Sequence, residues 1–262
     1  MIFFAVKSNR TPKGVRNKLL IMMQDLSWLS RTQLLIGEES LKRLTQKHVM
    51  VVGMGGVGSF AAEFIARGGV GKMTIIDGDV VDPTNRNRQL PALATNHGVS
   101  KALIMAERLK AINPELELNV VQAFIDPTRV EELLALKPDY IIDAIDSITP
   151  KVTFIHLAHA RKIKLVSSMG AGAKLDPTAL RVVDISKTFN CPFAQQIRRN
   201  LRKLGIYKGV KVVFSAEEPN RDSLMLTDGK NYKKSAYGTI SYMPATFGAV
   251  TASVALRDLM KG

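Results

Sequence analysis

Glycines at positions 53, 55 and 58 stand between a short apolar, β-branched run, 47–52, and a small-residue segment of helical character, 59–69. Asp77 closes the next apolar run, 72–77, and lies 19 residues after Gly58. A strand, a glycine turn, a helix and then an acid-tipped strand form the opening unit of a parallel α/β sheet that binds a nucleotide. Glycine permits the tight turn and lets backbone N–H groups approach phosphate, while the helix N-terminus favours an anion. Gly53, Gly55, Gly56 and Gly58 are therefore candidate phosphate-loop residues, and Asp77 is a candidate acceptor for ribose hydroxyls.

The pattern continues beyond this unit. Helical spacing over Lys101–Ile112 stops at Asn113-Pro114, and strands are expected at 118–125, 140–145 and 164–168 with helices at 130–136 and 148–161 between them. Strands at 180–185 and 210–214 flank a basic amphipathic helix at 194–204, and an apolar helix at about 246–259 packs back on the body. A further helix is expected over 37–44. Residues 216–238 are polar, with turn signals at Pro219-Asn220 and Asp228-Gly229. Together these predict an α/β fold, a Rossmann-like, doubly wound, mostly parallel sheet with a C-terminal basic α+β extension. Residues 23–175 are assigned to the nucleotide-binding part and 176–262 to the extension. Residues 1–22 read as a flexible basic arm, or as sequence upstream of a start at Met22 or Met23.

Composition narrows the class. At 262 residues with 46% hydrophobic and 23% charged residues, the chain has the make-up of a globular protein. The single cysteine excludes a disulfide scaffold and a cysteine-based zinc site. No apolar run approaches the roughly 18 residues of a membrane span, and the N-terminal apolar stretch is too short for a secretion signal. A cytoplasmic protein without stable membrane insertion is expected. The net charge of +14 is unevenly distributed: +5 over residues 1–31, +1 over 32–180, +7 over 181–234 and +1 thereafter. A neutral body with a basic segment suits a polyanion such as nucleic acid, although a merely solvated basic face is an equal reading of charge alone.

Cations around the glycine loop distinguish ATP from a nicotinamide cofactor. Thr84-Asn85-Arg86-Asn87-Arg88-Gln89 follow Asp77 and Asp79, Lys101 opens a helix, and Asp146 follows the fourth strand beside the crevice where such sheets bind ligands. Two or three cations and one or two carboxylates suit charge developing at a phosphoryl group, with a carboxylate holding Mg. This set suits nucleotidyl transfer and does not suit hydride transfer.

The segments GMGGVG, IIDGDVVDPTNRNRQ, HGVSK and DAID closely resemble the ubiquitin-activating-enzyme-like adenylating superfamily, over about residues 28–175. That resemblance implies that Asp77 holds the ATP ribose, that Asn85, Arg88 and Lys101 belong to the nucleotide site with the last two on phosphates, and that Asp146 binds Mg. It also implies a homodimer in which Arg31, of LSRTQLL, acts from the partner subunit.

Carrier-protein adenylases of this superfamily often have paired CxxC motifs and a thioester cysteine, and this chain has no such pairs. Pro192 could open a helix behind Cys191 and place the thiol near its N-terminus. A small buried residue is the preferred reading there. The four histidines share no metal-binding spacing. GAGAKLDPTALRVVDISKT, CPFAQQIRRNLRKLGI, KGVKVVFS and PATFGAV resemble the tRNA threonylcarbamoyladenosine dehydratases, which extends the likeness to residues 24–260. These enzymes adenylate the threonyl carboxylate of a modified adenosine beside the anticodon, and an internal nucleophile then displaces AMP. The same resemblance implies a monovalent cation (Na or K) in the C-terminal region, with no ligands assignable here, and for some relatives sulfur-transfer partners. Arg198, Arg199, Arg202 and Lys203 fall on neighbouring faces of one helix and are candidates for gripping tRNA phosphates. Tyr207, Tyr232 and Tyr237, near the basic run, are placed to stack on loop bases, but scattered tyrosines are more often packing or surface residues, and that is the reading preferred. Adenylation of a Gly-Gly-tailed sulfur carrier, and a non-catalytic nucleotide or RNA-binding module, are the alternatives.

Overall fold

The computed structural model of the protein describes residues 25–226 and 235–261. The expected N-terminal arm, Tyr232 and the Asp228-Gly229 turn lie outside them. Two short helices, α1 (Ser30–Ile36) and α2 (Glu38–Thr45), precede the sheet. The helix expected over 37–44 is α2, α1 is an additional element, and Gly37, at φ +80°, ends the first and starts the second.

Seven strands follow in spatial order β3-β2-β1-β4-β5-β7-β6. They are β1 (His48–Val52), β2 (Lys72–Ile76), β3 (Glu117–Val121), β4 (Tyr140–Asp143), β5 (Leu165–Ser168), β6 (Leu180–Asp184) and β7 (Lys211–Ser215). Every neighbouring pair is parallel except β6–β7, which is antiparallel. The helices are α3 (Gly58–Arg67), α4 (Lys101–Ile112), α5 (Pro127–Leu134), α6 (Ile148–Ala160), α7 (Pro192–Lys203) and α8 (Tyr242–Met260). A separate hairpin joins β8 (Leu224–Leu226) to β9 (Ser235–Tyr237).

Alternation along the central strands explains why helices cover both faces. Val49 and Val51 of β1 pack with Ala61, Ala62 and Ile65 of α3 and with Phe247 and Ala255 of α8. Met50 and Val52 point the other way, toward Val130 and Leu133 of α5 and Phe154 of α6. In α7 the apolar Ala194, Ile197 and Leu201 recur at i, i+3 and i+7 and pack on Val212 and Phe214, which leaves its basic residues outward. Because β7 pairs with β5, the C-terminal segment extends the same sheet.

The fold opens a crevice where β1 lies between β2 and β4, since the connections leaving β1 and β4 diverge to opposite faces. β3 ends at Val121, short of the expected 125, because Asp126 caps α5 by accepting the N–H of Arg129 at 2.8 Å. The freed residues Ala123, Phe124 and Ile125 line the crevice. No helix among the described residues is long and apolar enough to cross a membrane.

Candidate active site

The glycine loop is shaped by backbone contacts that exclude side chains. Gly53 has φ +93°, and a Cβ there would lie 2.9 Å from the carbonyl oxygen of Ala144, after β4. A Cβ on Gly58 would lie 1.8 Å from the carbonyl oxygen of Gly53, so only glycine lets α3 start directly against the turn. Gly56 closes on Pro244 of α8 (2.9 Å for a built Cβ) and on the carbonyl oxygen of Arg88 (3.3 Å). The turn carrying Arg88 is thereby held against the glycine loop.

Asp77, just past β2, is tied to the same loop. Its Oδ2 accepts the N–H of Met54 at 2.6 Å, and its Oδ1 accepts the N–H of Asp79 at 2.7 Å. Burial pushes its carboxyl above the ordinary range, against the pull of the Asp79 N–H, Lys101 and the Met54 N–H. Each oxygen keeps acceptor capacity for a hydroxyl donor.

The remaining groups converge from three connections. Asp82 caps a short 3-10 turn, its N–H donating to Oδ1 of the buried Asn85 at 3.2 Å. Arg88 follows, its guanidinium donating to the carbonyl oxygen of Thr84 at 3.1 Å and to Oδ1 of Asn87 at 2.9 Å. Burial pushes that guanidinium down from its ordinary value, and Asp146 opposes the shift. Lys101 is the first residue of α4, behind the N-cap Ser100. Its side chain is only 6% exposed, and its ammonium lies 3.2 Å from Oδ2 of Asp79.

Gly53, Gly55, Gly56, Asp77, Asn85, Arg88, Lys101 and Asp146 all line one cavity of about 1130 Å³, at the upper end of ligand-pocket sizes. Gly58 is not part of the lining; it permits the loop without touching the space. Arg31 lies on α1, exposed and outside the cavity. Arg198, Arg199, Arg202 and Lys203 lie along α7, whose first turn reaches the cavity through Pro192, Phe193 and Gln196. Arg199, Arg202 and Lys203 are exposed, whereas the guanidinium of Arg198 donates to the carbonyl oxygen of Thr188 at 2.9 Å and to its hydroxyl.

Several lining residues had no individual role assigned from the sequence. Asp79 pairs with Lys101, Gln89 presents a buried Oε1 without a hydrogen-bond partner, and Phe193, Met225 and Tyr237 also line the cavity. Asp79 is signalled by its place two residues after Asp77; Tyr237 is signalled only as an aromatic near the basic run, and the preferred reading sets it aside as a packing or surface residue. Cys191 is buried at the N-cap of α7, and its Sγ accepts the N–H of Ala194 at 3.4 Å.

Comparison with known proteins agrees with this geometry. The ThiF family model matches residues 29–261. A tRNA threonylcarbamoyladenosine dehydratase from Escherichia coli is 41% identical over 254 residues, covering 89% of this chain and 95% of the relative. One from Bacillus subtilis is 40% identical over 243 residues, covering 90% and 96%. The crystal structure of the E. coli tRNA N6-threonylcarbamoyladenosine dehydratase in complex with ATP matches with a TM-score of 0.82 at 40% identity, over 90% of this chain and 95% of that one. The chain belongs to the ThiF family, in the branch of the tRNA threonylcarbamoyladenosine dehydratases.

Proposed function

We propose that this chain is an ATP-dependent tRNA threonylcarbamoyladenosine dehydratase that works through an acyl-adenylate. The observation carrying the reading is the convergence of Asp77, Arg88, Lys101 and Asp146 on one cavity, in a chain whose relatives bear that name over nearly their whole length. In this reading Asp77 accepts the ribose hydroxyls, and the Gly53–Gly58 turn presents N–H groups and the α3 N-terminus to phosphate.

Arg88 and Lys101 stabilise the charge that develops as a threonyl carboxylate oxygen bonds to the α-phosphorus and pyrophosphate leaves. The internal nucleophile of the threonylcarbamoyl group then bonds to the acyl carbon, and AMP departs with the carboxylate oxygen. The net result is ring closure with loss of the elements of water. Both reacting groups belong to one nucleoside, so proximity contributes up to about 10 kcal/mol. The enzyme need not supply a covalent nucleophile.

Mg fits the donor set. Among the described residues no cluster of three or more histidine, cysteine or carboxylate side chains could cage a metal. One or two carboxylates beside a phosphate site suit Mg carried by the nucleotide. Asp146 is the residue assigned to hold it, and its chemistry there would be to neutralise phosphate charge. A monovalent cation and sulfur-transfer partners rest on resemblance alone, with no residue of this chain assigned to them.

A homodimer completes the reading. Leu34 and Leu35 of α1 are 88% and 86% exposed, three and four residues after Arg31, an apolar pair suited to cover by a second copy. The exposed basic residues of α7, Arg199, Arg202 and Lys203, then serve tRNA phosphates on the helix whose N-terminal end lines the cavity, with Arg198 anchoring the loop before the helix.

Pyrophosphate release with ATP and Mg tests the reading, comparing tRNA that bears threonylcarbamoyladenosine, an unmodified transcript and no RNA. Release confined to the modified tRNA, with a nucleoside lighter by one water in mass spectrometry, is expected. Silence with every RNA overturns it and directs the search to Gly-Gly-tailed carrier proteins.

A further inference from the structure

Behind the cavity wall, an ion pair is sealed from solvent. Lys151 of α6 and Asp143 of β4 each have side chains 0% exposed, with Nζ 2.9 Å from Oδ2. The ammonium also donates to the carbonyl oxygen of Ile145 at 3.0 Å, while Oδ1 of Asp143 accepts the N–H of Ile145 at 3.0 Å. Ser167 of β5 fixes the carboxylate from the far side, its hydroxyl donating to Oδ2 at 2.7 Å. Ile145 is therefore gripped at both backbone polar groups, one by each member of the pair. The next residue is Asp146.

Stability alone does not explain this arrangement. A fully desolvated ion pair gives little or no net stabilisation compared with well-packed apolar residues of similar volume. Its geometry does something an apolar pair cannot: it fixes the peptide plane from which Asp146 departs. Burial pushes the Lys151 ammonium down from its ordinary value; Asp143 opposes this most, and Asp146 adds to that opposition.

We propose that Lys151 and Asp143 are positioning residues that hold the Ile145 peptide, and with it the Asp146 carboxylate, in the orientation that receives the metal of Mg·ATP. The proposal rests on the reading of Asp146 as the metal-holding residue. Groups behind a ligand that orient it commonly affect metal affinity about 10–100-fold when removed.

The test measures binding of a fluorescent ATP analogue to the intact protein, first in EDTA and then across a Mg²⁺ titration. Lys151→Met alone leaves the Asp143 charge buried and unpaired, so the variant to use is Asp143→Leu with Lys151→Met, checked by thermal melting. A milder variant, Ser167→Ala, keeps both charges and removes only the hydroxyl that orients Asp143. The expected result is analogue affinity in EDTA within about twofold of the parent for both. Half-saturating Mg²⁺ should rise about 10-fold or more for the double variant and about threefold for Ser167→Ala. Parental Mg²⁺ dependence in the folded double variant or in Ser167→Ala overturns the proposal. Asp146→Asn separates the two levels: if it too keeps the parental dependence, the metal-site reading itself falls. If only Asp146→Asn loses it, the positioning role alone falls.

Discussion

The carboxylate of Asp77 accepts the N–H of Met54 at 2.6 Å, which ties the end of β2 to the glycine loop after β1. The acceptor proposed for a ribose and the donors proposed for a phosphate are thereby held in register by the fold itself. Burial of Asp77 raises its pKa, and the sign of the consequence depends on what is measured. In the ligand-free protein the charged form costs stability at neutral pH, and that cost is relieved as pH falls through the raised pKa. Binding of a hydroxyl donor runs the other way, because it needs the charged acceptor.

Adenosine, which carries no phosphate to titrate, isolates this effect. Its affinity is expected to be full at neutral pH and to fall on acidification earlier than an ordinary carboxylate would dictate. Asp77→Asn should weaken it about 10–100-fold, the worth of a hydrogen bond to a charged group, and flatten the pH profile. Calorimetric titration of both proteins at several pH values checks this. Parental affinity in the variant would remove Asp77 from the ribose site.

Gly58 makes a second, purely steric prediction. A methyl group there would overlap the Gly53 carbonyl oxygen at 1.8 Å, and that atom is backbone, with no rotamer to escape into. Gly58→Ala should destabilise the protein by about 1–3 kcal/mol and weaken ATP binding at least 10-fold, since α3 must move off the loop. Gly98→Ala is the control. Gly98 has φ +80° and open space around it, so it carries backbone strain without a clash near the site. Melting curves and ATP titrations that failed to separate the two would count against loop closure as the role of Gly58.

The parts visible in the sequence are those set by local rules. β1, α3 and β2 follow from periodicity and from glycines whose spacing has one structural use, while Lys101 follows from its place at the start of a helix and Asp146 from its place after a strand end. Contacts between distant segments were not visible. α6 buries Lys151 together with Pro150, Phe154 and Ile155, and a helix so widely apolar gives no clue that one lysine points inward. Tyr237 reaches the cavity on a three-residue strand, too short for alternation to be read. The basic helix shows the converse limit. Spacing places Arg198 beside Arg199, Arg202 and Lys203, but a partner ten residues earlier, Thr188, claims its guanidinium.

That difference divides the basic helix into two kinds of arginine. Arg202→Ala with Lys203→Ala should leave melting nearly unchanged. It should reduce the slope of log affinity against log salt for tRNA by about 1–2, as expected for two lost phosphate contacts. Arg198→Ala should lower the melting temperature by freeing the Thr188 turn, with a smaller change in salt slope. Filter binding at a series of salt concentrations reads both. Equal slopes for the parent and the Arg202/Lys203 variant would exclude this face from the tRNA interface.

Arg31 stands exposed on α1, away from the cavity of its own subunit, and next to Leu34 and Leu35. If a second copy covers that apolar pair, the guanidinium of each subunit can serve the site of the other. The pattern of rescue then follows from two-fold symmetry. Arg31→Ala and Asp146→Asn should each be nearly inactive alone. Mixed in equal amounts with subunit exchange, half the dimers are heterodimers, and each of these contains one intact composite site. Activity should recover to about a quarter of the parent value. The readout is pyrophosphate release with modified tRNA, with exchange followed by tagged subunits. Complete exchange without recovery would place Arg31 in the site of its own subunit or outside catalysis, because only action across the interface lets two defective chains assemble one working site.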